Sequence, residues 1–360
     1  MTLQSSGTIK FSDIENEFGQ ISGSNNRKIG GYRISETIGG LTNLPLDEGV
    51  PQPGSPISFS DFYSKRCNIL VDCYTSDENR VDARNKYDSG DVQVVGPGVK
   101  SPPVAGSGVK VRIHVNKNIG SQAVNGGSQS YCALRTGTWD TETDDEGCEL
   151  QVDVGPNGLI CGAGGNGGWG GYKHSSSGSP NSGEGFPGEY GNSGLGIQHD
   201  NTDVVVLNGG FIVGGYGGGG GAPGFEYTNQ DGEDHEVRGW GGGGGGGAGI
   251  PAGEGKGNYS DGYSAGIGQD GSMLTGGAGG EGTWTHGGQG CHNGICAGDG
   301  GNGGGQEFGV AAAGGPSRND SQDPGAGGAS GAAIRRTSGL TVNITNGGTI
   351  SGATDATGVL

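Results

Sequence analysis

The chain has 360 residues, 89 of them glycine, with 29% hydrophobic residues and a formal charge of −18. That length leaves room for two or three domains, but so few apolar side chains exclude a conventional core throughout. Much of the chain must therefore be held by backbone hydrogen bonds or by partner chains. Nucleic acid and anionic membrane surfaces are poor partners for such a charge, which suits divalent cations or simple solubility.

Residues 1–66 open with Met1 to Gly7, which has neither the basic nor the apolar region of a secretory signal. No stretch reaches the ~18 apolar residues of a membrane span. The sequence therefore predicts synthesis in a cytoplasm and release by lysis or a leaderless route. Ile9 and Phe11 alternate with polar residues as in a short strand, and Ser12 with Glu15 reads as a capping box that opens a helix. Ile14 and Phe18 share that helix's apolar face. The pattern Ile-x-Phe-Ser-Asp-apolar returns at Ile57, Phe59, Asp61 and Phe62. Two such short units look like a docking segment that packs on something larger.

Residues 67–161 carry ordinary strand signals and are expected to form a small β domain. Val109, Val111, Ile113 and Val115 alternate with Lys110, Arg112 and His114, a half-buried strand. An internal repeat then begins. Val152–Gly162 aligns without gaps to Val204–Gly214 and to Val342–Gly352. The Asn-Gly or Gly-Gly at its centre predicts a hairpin or tight turn. The unequal spacing of the copies argues against a regular solenoid.

Residues 162–338 are a glycine field with a three-residue period, as in Gly164-Gly165-Asn166, Gly167-Gly168-Trp169 and Gly170-Gly171-Tyr172. A polyproline-II-like helix has three residues per turn and no internal hydrogen bonds, so this period leaves two bare edges for close approach of neighbouring strands. A flexible linker is the alternative, and the aromatics and strand signals set into the field argue against it. Irregular segments, 173–194, 225–238, 258–275 and 283–296, read as loops at the ends of glycine runs. Residues 339–360 close the chain as a strand unit. The fold class expected is mainly β, with a polyglycine-II-rich region punctuated by β-hairpins.

Candidate chemistry is sparse. Asp140, Asp144 and Asp145 sit in a carboxylate-dense loop that calcium could use, against a solvated acidic loop as the default. Cys291-His292-Asn293-Gly294-Ile295-Cys296 offers metal ligands but no fourth one; a loop-closing disulfide after release and two free thiols are the other readings. No nucleophile elbow, phosphate loop or dinucleotide fingerprint is present. No cofactor is expected, and no enzyme: a polysaccharide depolymerase would need paired carboxylates on a long regular β-helix, for which the strands are too few. An ice-binding polyglycine bundle would need a flatter face than the tryptophans and charged spacers allow.

The N-terminal Ser6–Gly19 with its echo Ile57–Asp61, and the alternation of Asn-Gly-Gly-x-Ile-x-Gly units with glycine runs, resemble Gly-rich bacteriophage tail fibres and adhesins of marine or cyanobacterial phage type. The resemblance implies a non-enzymatic virion protein, a homotrimer, in contact with other virion proteins and a host surface glycan or protein. It implies virion docking through Ile9, Phe11, Asp13, Ile14, Phe18, Ile57, Phe59, Asp61 and Phe62. It implies receptor-facing loops carrying Tyr172, His174, Phe225, Tyr227, Trp240, Tyr259, Tyr263, Trp284 and His286. A structural fibre or decoration protein with inert loops is the alternative.

Overall fold

A computed structural model describes residues 3–18, 29–32, 50–51, 54–65, 69–73, 76–89, 110–121, 128–139, 149–171, 184–228, 236–257, 266–273, 275–280, 283–284, 291–292, 295–296, 299–305 and 323–360. The strands wind into a three-sided parallel β-helix. The first coil is β1 (Ile69–Cys73), β2 (Glu78–Asn79) and β3 (Val81–Asp82). The second is β4 (Lys110–Val115), β5 (Asn118–Gly120) and β6 (Cys132–Arg135), and the third β7 (Glu149–Val154), β8 (Leu159–Cys161) and β9 (Ser193–Ile197). The fourth begins with β10 (Thr202–Val206) and β11 (Phe211–Val213). It then leaves on an excursion carrying β12 (Phe225–Thr228), β13 (Glu236–Trp240), β14 (Thr283–Trp284), β15 (Cys291–His292) and β16 (Ile295–Cys296), and closes with β17 (Ile334–Arg336). The fifth is β18 (Val342–Asn346), β19 (Thr349–Ser351) and β20 (Ala356–Thr357).

Each coil contributes one strand to each of three parallel sheets, ordered β1-β4-β7-β10-β18, β2-β5-β8-β11-β19 and β3-β6-β9-β17-β20. Alternate residues point inward, and the core is a stack of aligned apolar layers. One ladder is Val71, Ile113, Val152, Val204 and Ile344; another is Ile119, Ile160, Ile212 and Ile350. All but the fifth-coil members are fully buried.

The mainly β class stands, and its details change. The repeat copies are not hairpins: the two strands of each copy lie in different parallel sheets, as consecutive sides of one coil. They are coils three, four and five of a solenoid, which unequal spacing had argued against. The spacing is unequal because the glycine excursions are inserted inside coils, after β8 and after β11. The strands also suffice for a β-helix. The ungapped alignment holds for copies one and two, where Val152 meets Val204 and Ile160 meets Ile212. In the third copy Ile350 still meets Ile212, but Ile344, not Val342, meets Val204. A slip of two residues keeps every side chain on its own face. The expected boundaries at 161 and 338 are crossed by these sheets, because their ladders join segments from both sides.

The glycine field continues the coil ladders outward. Run 1 (162–171) leaves β8 and run 2 (184–192) returns to β9. Run 3 (214–224) leaves β11 and run 9 (323–333) returns to β17. Between them lie run 4 (241–249), run 5 (251–257), run 6 (266–272), run 7 (275–280) and run 8 (299–305). Hydrogen bonds recur at every third residue. Gly165, Gly168 and Gly171 donate to the carbonyls of Tyr216, Gly219 and Ala222, extending the β8–β11 pairing. In run 4 each edge serves a different neighbour. Gly241, Gly244 and Gly247 donate to run 1; Gly243, Gly246 and Gly249 donate to run 6; Gly245 and Ala248 donate to run 8. Run 4 also accepts from runs 3, 5 and 7. This is the spacing a helix of three residues per turn presents, with one donor edge per residue of the period.

Only glycine fits there. A Cβ on Gly244 would lie 2.0 Å from the Gly219 carbonyl oxygen, and one on Gly217 1.9 Å from that of Gly328. Ordering glycine costs more backbone entropy than any other residue, and the dense hydrogen bonding offsets it. Because the runs satisfy one another within one chain, unpaired glycine edges are no longer a reason to require a trimer.

The N-terminal segment has its own small core of Leu3, Ile9, Ile14, Val50 and Phe62. The two motif copies form matching helical turns, α1 (Phe11–Phe18) and a 3-10 turn at Phe59–Phe62. The cap differs from the expected Ser12–Glu15 box. The Asp13 carboxylate accepts the Lys10 N–H at 2.8 Å, and Asp61 accepts the Ser58 N–H at 2.7 Å. The Asp of the motif is therefore the third residue of each turn, reaching back to its cap, and no strand forms at Ile9. A second helix, α2 (Ala83–Asp88), follows β3 and buries Tyr87 against Trp139, with ring centroids 5.4 Å apart.

Candidate functional site

The hydrogen-bond partners fix the direction of every glycine run. Run 1 starts at the β-helix with Gly162 and ends away from it at Gly171. Run 4 is antiparallel to it, since Gly241 donates to Gly171 and Gly247 to Gly165. Run 5 goes outward, with Pro251 accepting from Gly164 and residue 257 accepting from Gly170. Run 6 returns, because Gly268 pairs with Lys256 and Gly271 with Gly253. Run 7 goes outward along run 4, and run 8 returns along run 7. The consequence is that the segments following runs 1, 3, 5 and 7 all begin and end at one end of the bundle, the end away from the β-helix.

Those segments are 172–183, 225–240, 258–265 and 281–298. They correspond to the four loops expected from sequence, with two corrections. Residues 184–192 and 266–272, read as loop, are returning glycine runs. Their non-glycine spacers hid the period: Gly185, Gly188 and Gly191 donate to Asp323, Ala326 and Ala329 at three-residue intervals. The outer end also carries an antiparallel sheet of β12, β13 and β14, in which Phe225 faces Gly239, Tyr227 faces Val237 and Gly239 faces Trp284. It brings Phe225, Tyr227, Trp240 and Trp284 onto neighbouring strands; the side chains of Phe225, Tyr227 and Trp284 lie outside the described residues. Trp240 is only 3% exposed, so its ring packs inside the bundle rather than facing a receptor. Tyr172, His174, Tyr259, Tyr263 and His286 lie outside the described residues, as do Asp140, Asp144 and Asp145.

Sequence reasoning missed one exposed aromatic group. Trp169, Phe186 and Tyr190 are 41%, 44% and 53% exposed on runs 1 and 2. Phe186 donates its backbone N–H to the Trp169 carbonyl, which sets the two residues side by side. The Lys256 ammonium stands 5.6 Å from the Trp169 ring centroid, a cation–π distance, and also pairs with Glu254 at 2.8 Å. Beside them the Asn166 amide donates to Glu189 at 2.7 Å. The three-residue spacing of Asn166 and Trp169 was the signal: spacers at that interval share one edge.

At the N-terminal segment the docking residues divide. Ile9, Ile14 and Phe62 are buried in the segment's own core, and the half-buried Asp13 and Asp61 cap its turns, so these five build the segment. Phe59 is 43% exposed and meets the half-buried Phe11 edge-to-face, centroids 6.2 Å apart; Ile57 is also half-buried. The Phe18 side chain lies outside the described residues.

Burial sets the character of the described thiols. Cys73, Cys132 and Cys161 are buried, and burial pushes the thiols of Cys132 and Cys161 up to about 12. Such thiols are poor nucleophiles and metal ligands at neutral pH. Burial likewise raises Asp153, opposed by the Arg112 charge and by the Gln151 amide that donates to it. Among the described residues, no group of three or more His, Cys, Asp or Glu is placed to hold a metal ion, and no helix is long and apolar enough to cross a membrane.

A family model described as "Phage tail fibre adhesin Gp38" matches residues 97–355. No curated protein matches the chain. Among solved structures, the crystal structure of the gp37-gp38 adhesin tip complex of the bacteriophage S16 long tail fibre is similar at 18% identity and a TM-score of 0.35. The match covers 85% of this chain and 90% of that one.

Proposed function

The chain belongs to the phage tail fibre adhesin Gp38 family, and from that premise we propose that it recognises the host cell surface through the segments at the outer end of the glycine bundle. The bundle is read as a polyglycine-II lattice that acts as a rigid mount. The N-terminal segment attaches the protein to other virion proteins, with Phe59 and its neighbours Phe11 and Ile57 as the contact patch. No step of this role needs catalysis or a cofactor.

The observation that carries the reading is directional. Segments 172–183, 225–240, 258–265 and 281–298 each spring from and return to glycine runs whose ends lie together, away from the β-helix. Loops on a rigid scaffold tolerate sequence change without unfolding it. Tyrosine and tryptophan in such segments offer large contact area at low entropic cost.

The test uses the full-length protein, fluorescently labelled, on host cells. Wild type is compared with a variant carrying Phe225→Ala, Tyr227→Ala, Tyr259→Ala and Tyr263→Ala, and with Phe59→Ala. The outer-end variant is expected to lose cell binding with its circular dichroism unchanged. Phe59→Ala is expected to keep cell binding and to lose incorporation into fibre particles. Undiminished cell binding by a folded outer-end variant would refute the assignment.

A further inference from the structure

The strands β15 and β16 place two cysteines opposite each other. Their antiparallel register pairs Cys291 with Cys296 and His292 with Ile295. Only Asn293 and Gly294 separate the inner pair, and Asn-Gly is the dipeptide favoured in two-residue hairpin connections. In a hairpin with a two-residue connection the flanking pair, here His292 and Ile295, exchanges both backbone hydrogen bonds. The next pair outward is then the non-hydrogen-bonded kind, with Cα atoms about 4.5 Å apart. Disulfides span Cα separations of roughly 4.4 to 6.8 Å, a range that pairs of this kind meet.

We propose that Cys291 and Cys296 form a disulfide once the protein meets an oxidising medium, closing the 281–298 segment at the outer end of the bundle. The oxidant is a small-molecule disulfide such as oxidised glutathione. One cysteine, as its thiolate, attacks a sulfur of oxidised glutathione and releases one glutathione. The second cysteine then displaces the other glutathione, forming the Cys291–Cys296 bond. The two protons lost by the protein thiols end on the two glutathione thiols. A two-stranded hairpin is marginal by itself in water, and the cross-link holds it. The buried Cys132 and Cys161, with thiols raised to about 12, do not compete in this exchange. The bond is independent of the host-binding role proposed above; only its effect on cell binding rests on that reading.

Full-length protein purified under reducing conditions is incubated with oxidised glutathione, alkylated, digested and mapped by mass spectrometry. The expected result is loss of alkylation at Cys291 and Cys296 together and a linked peptide two hydrogens lighter. Cys291→Ser should instead leave Cys296 as a glutathione mixed disulfide. The proposal is overturned if both cysteines remain alkylated, or if either is linked to Cys67 or Cys148. Cell binding is then compared before and after oxidation. A mapped bond with unchanged binding upholds the disulfide and counts against a host-contact role for this segment.

Discussion

Gly244→Ala probes the central packing of the glycine bundle. Gly244 sits mid-run in run 4 and donates its N–H to Gly168 at 2.8 Å. A methyl built there lies 2.0 Å from the Gly219 oxygen and 2.5 Å from the Gly219 carbon, both backbone atoms that cannot rotate away. Relief requires runs 3 and 4 to part by about 1 Å, which a close-packed interior resists. Three hydrogen bonds join those runs, from Tyr216 to Ala248, Gly219 to Gly245 and Ala222 to Gly242, at 2.8, 2.8 and 2.9 Å. At about 1 kcal/mol net each, with more for groups left buried and unpaired, the loss is about 3 to 5 kcal/mol. The opposing gain, from a stiffer unfolded chain, is only about 0.4 to 1 kcal/mol. Gly257→Ala is the control: its added methyl meets only the flexible Ile267 side chain, at 3.2 Å, and should change stability by less than about 1 kcal/mol. Urea unfolding followed by tryptophan fluorescence reads both. If Gly244→Ala is as stable as Gly257→Ala, the interlocked bundle is wrong.

Other consequences are equally open to measurement. Asp153 is buried with its carboxyl raised, and its Oδ2 has no hydrogen-bond partner among the described residues. A raised folded pKa favours the fold in acid, a contribution lost as pH rises through the folded value. Asp153→Asn should therefore gain melting temperature over wild type on going from pH 4 to pH 7; identical pH profiles would contradict the burial argument. Phe62→Ala, at a fully buried site, should destabilise the N-terminal segment by about 3 to 5 kcal/mol, seen as faster proteolysis there, whereas the exposed Phe59→Ala should leave proteolysis unchanged. Ile212→Ala removes an aligned layer of the β-helix and should cost about 2 to 5 kcal/mol in urea unfolding; a loss below 1 kcal/mol would argue against the stacked core.

Composition and spacing made the two main materials legible. The Gly-Gly-x period survives as three-residue hydrogen bonding, and the alternation of Val111, Ile113 and Val115 survives as an inward face on β4. The repeat was visible, but not its meaning. Asn-Gly turns the chain at a solenoid corner much as it turns a hairpin, and a hairpin is local while a coil closes over distant residues. Excursions of unequal length inside coils three and four masked the solenoid period. Run 2 was hidden for a different reason. Phe186, Pro187, Glu189 and Tyr190 make it look like a loop, yet Gly185, Gly188 and Gly191 alone supply the bare edge it needs. Trp240 shows a further limit: an aromatic residue beside a glycine run reads as a surface anchor, and burial depends on which edge of the run it occupies.

Hydrogen exchange of the backbone amides, resolved to short peptides by mass spectrometry, tests the central claim most directly. The account predicts strong protection of 214–222 and 241–249, comparable to the β-helix strands at Val111–Val115 and Val152–Val154, although these runs are almost wholly glycine. Exchange of those two runs at the rate of a free glycine chain would contradict it, and the rigid mount for the outer-end segments would fall with it.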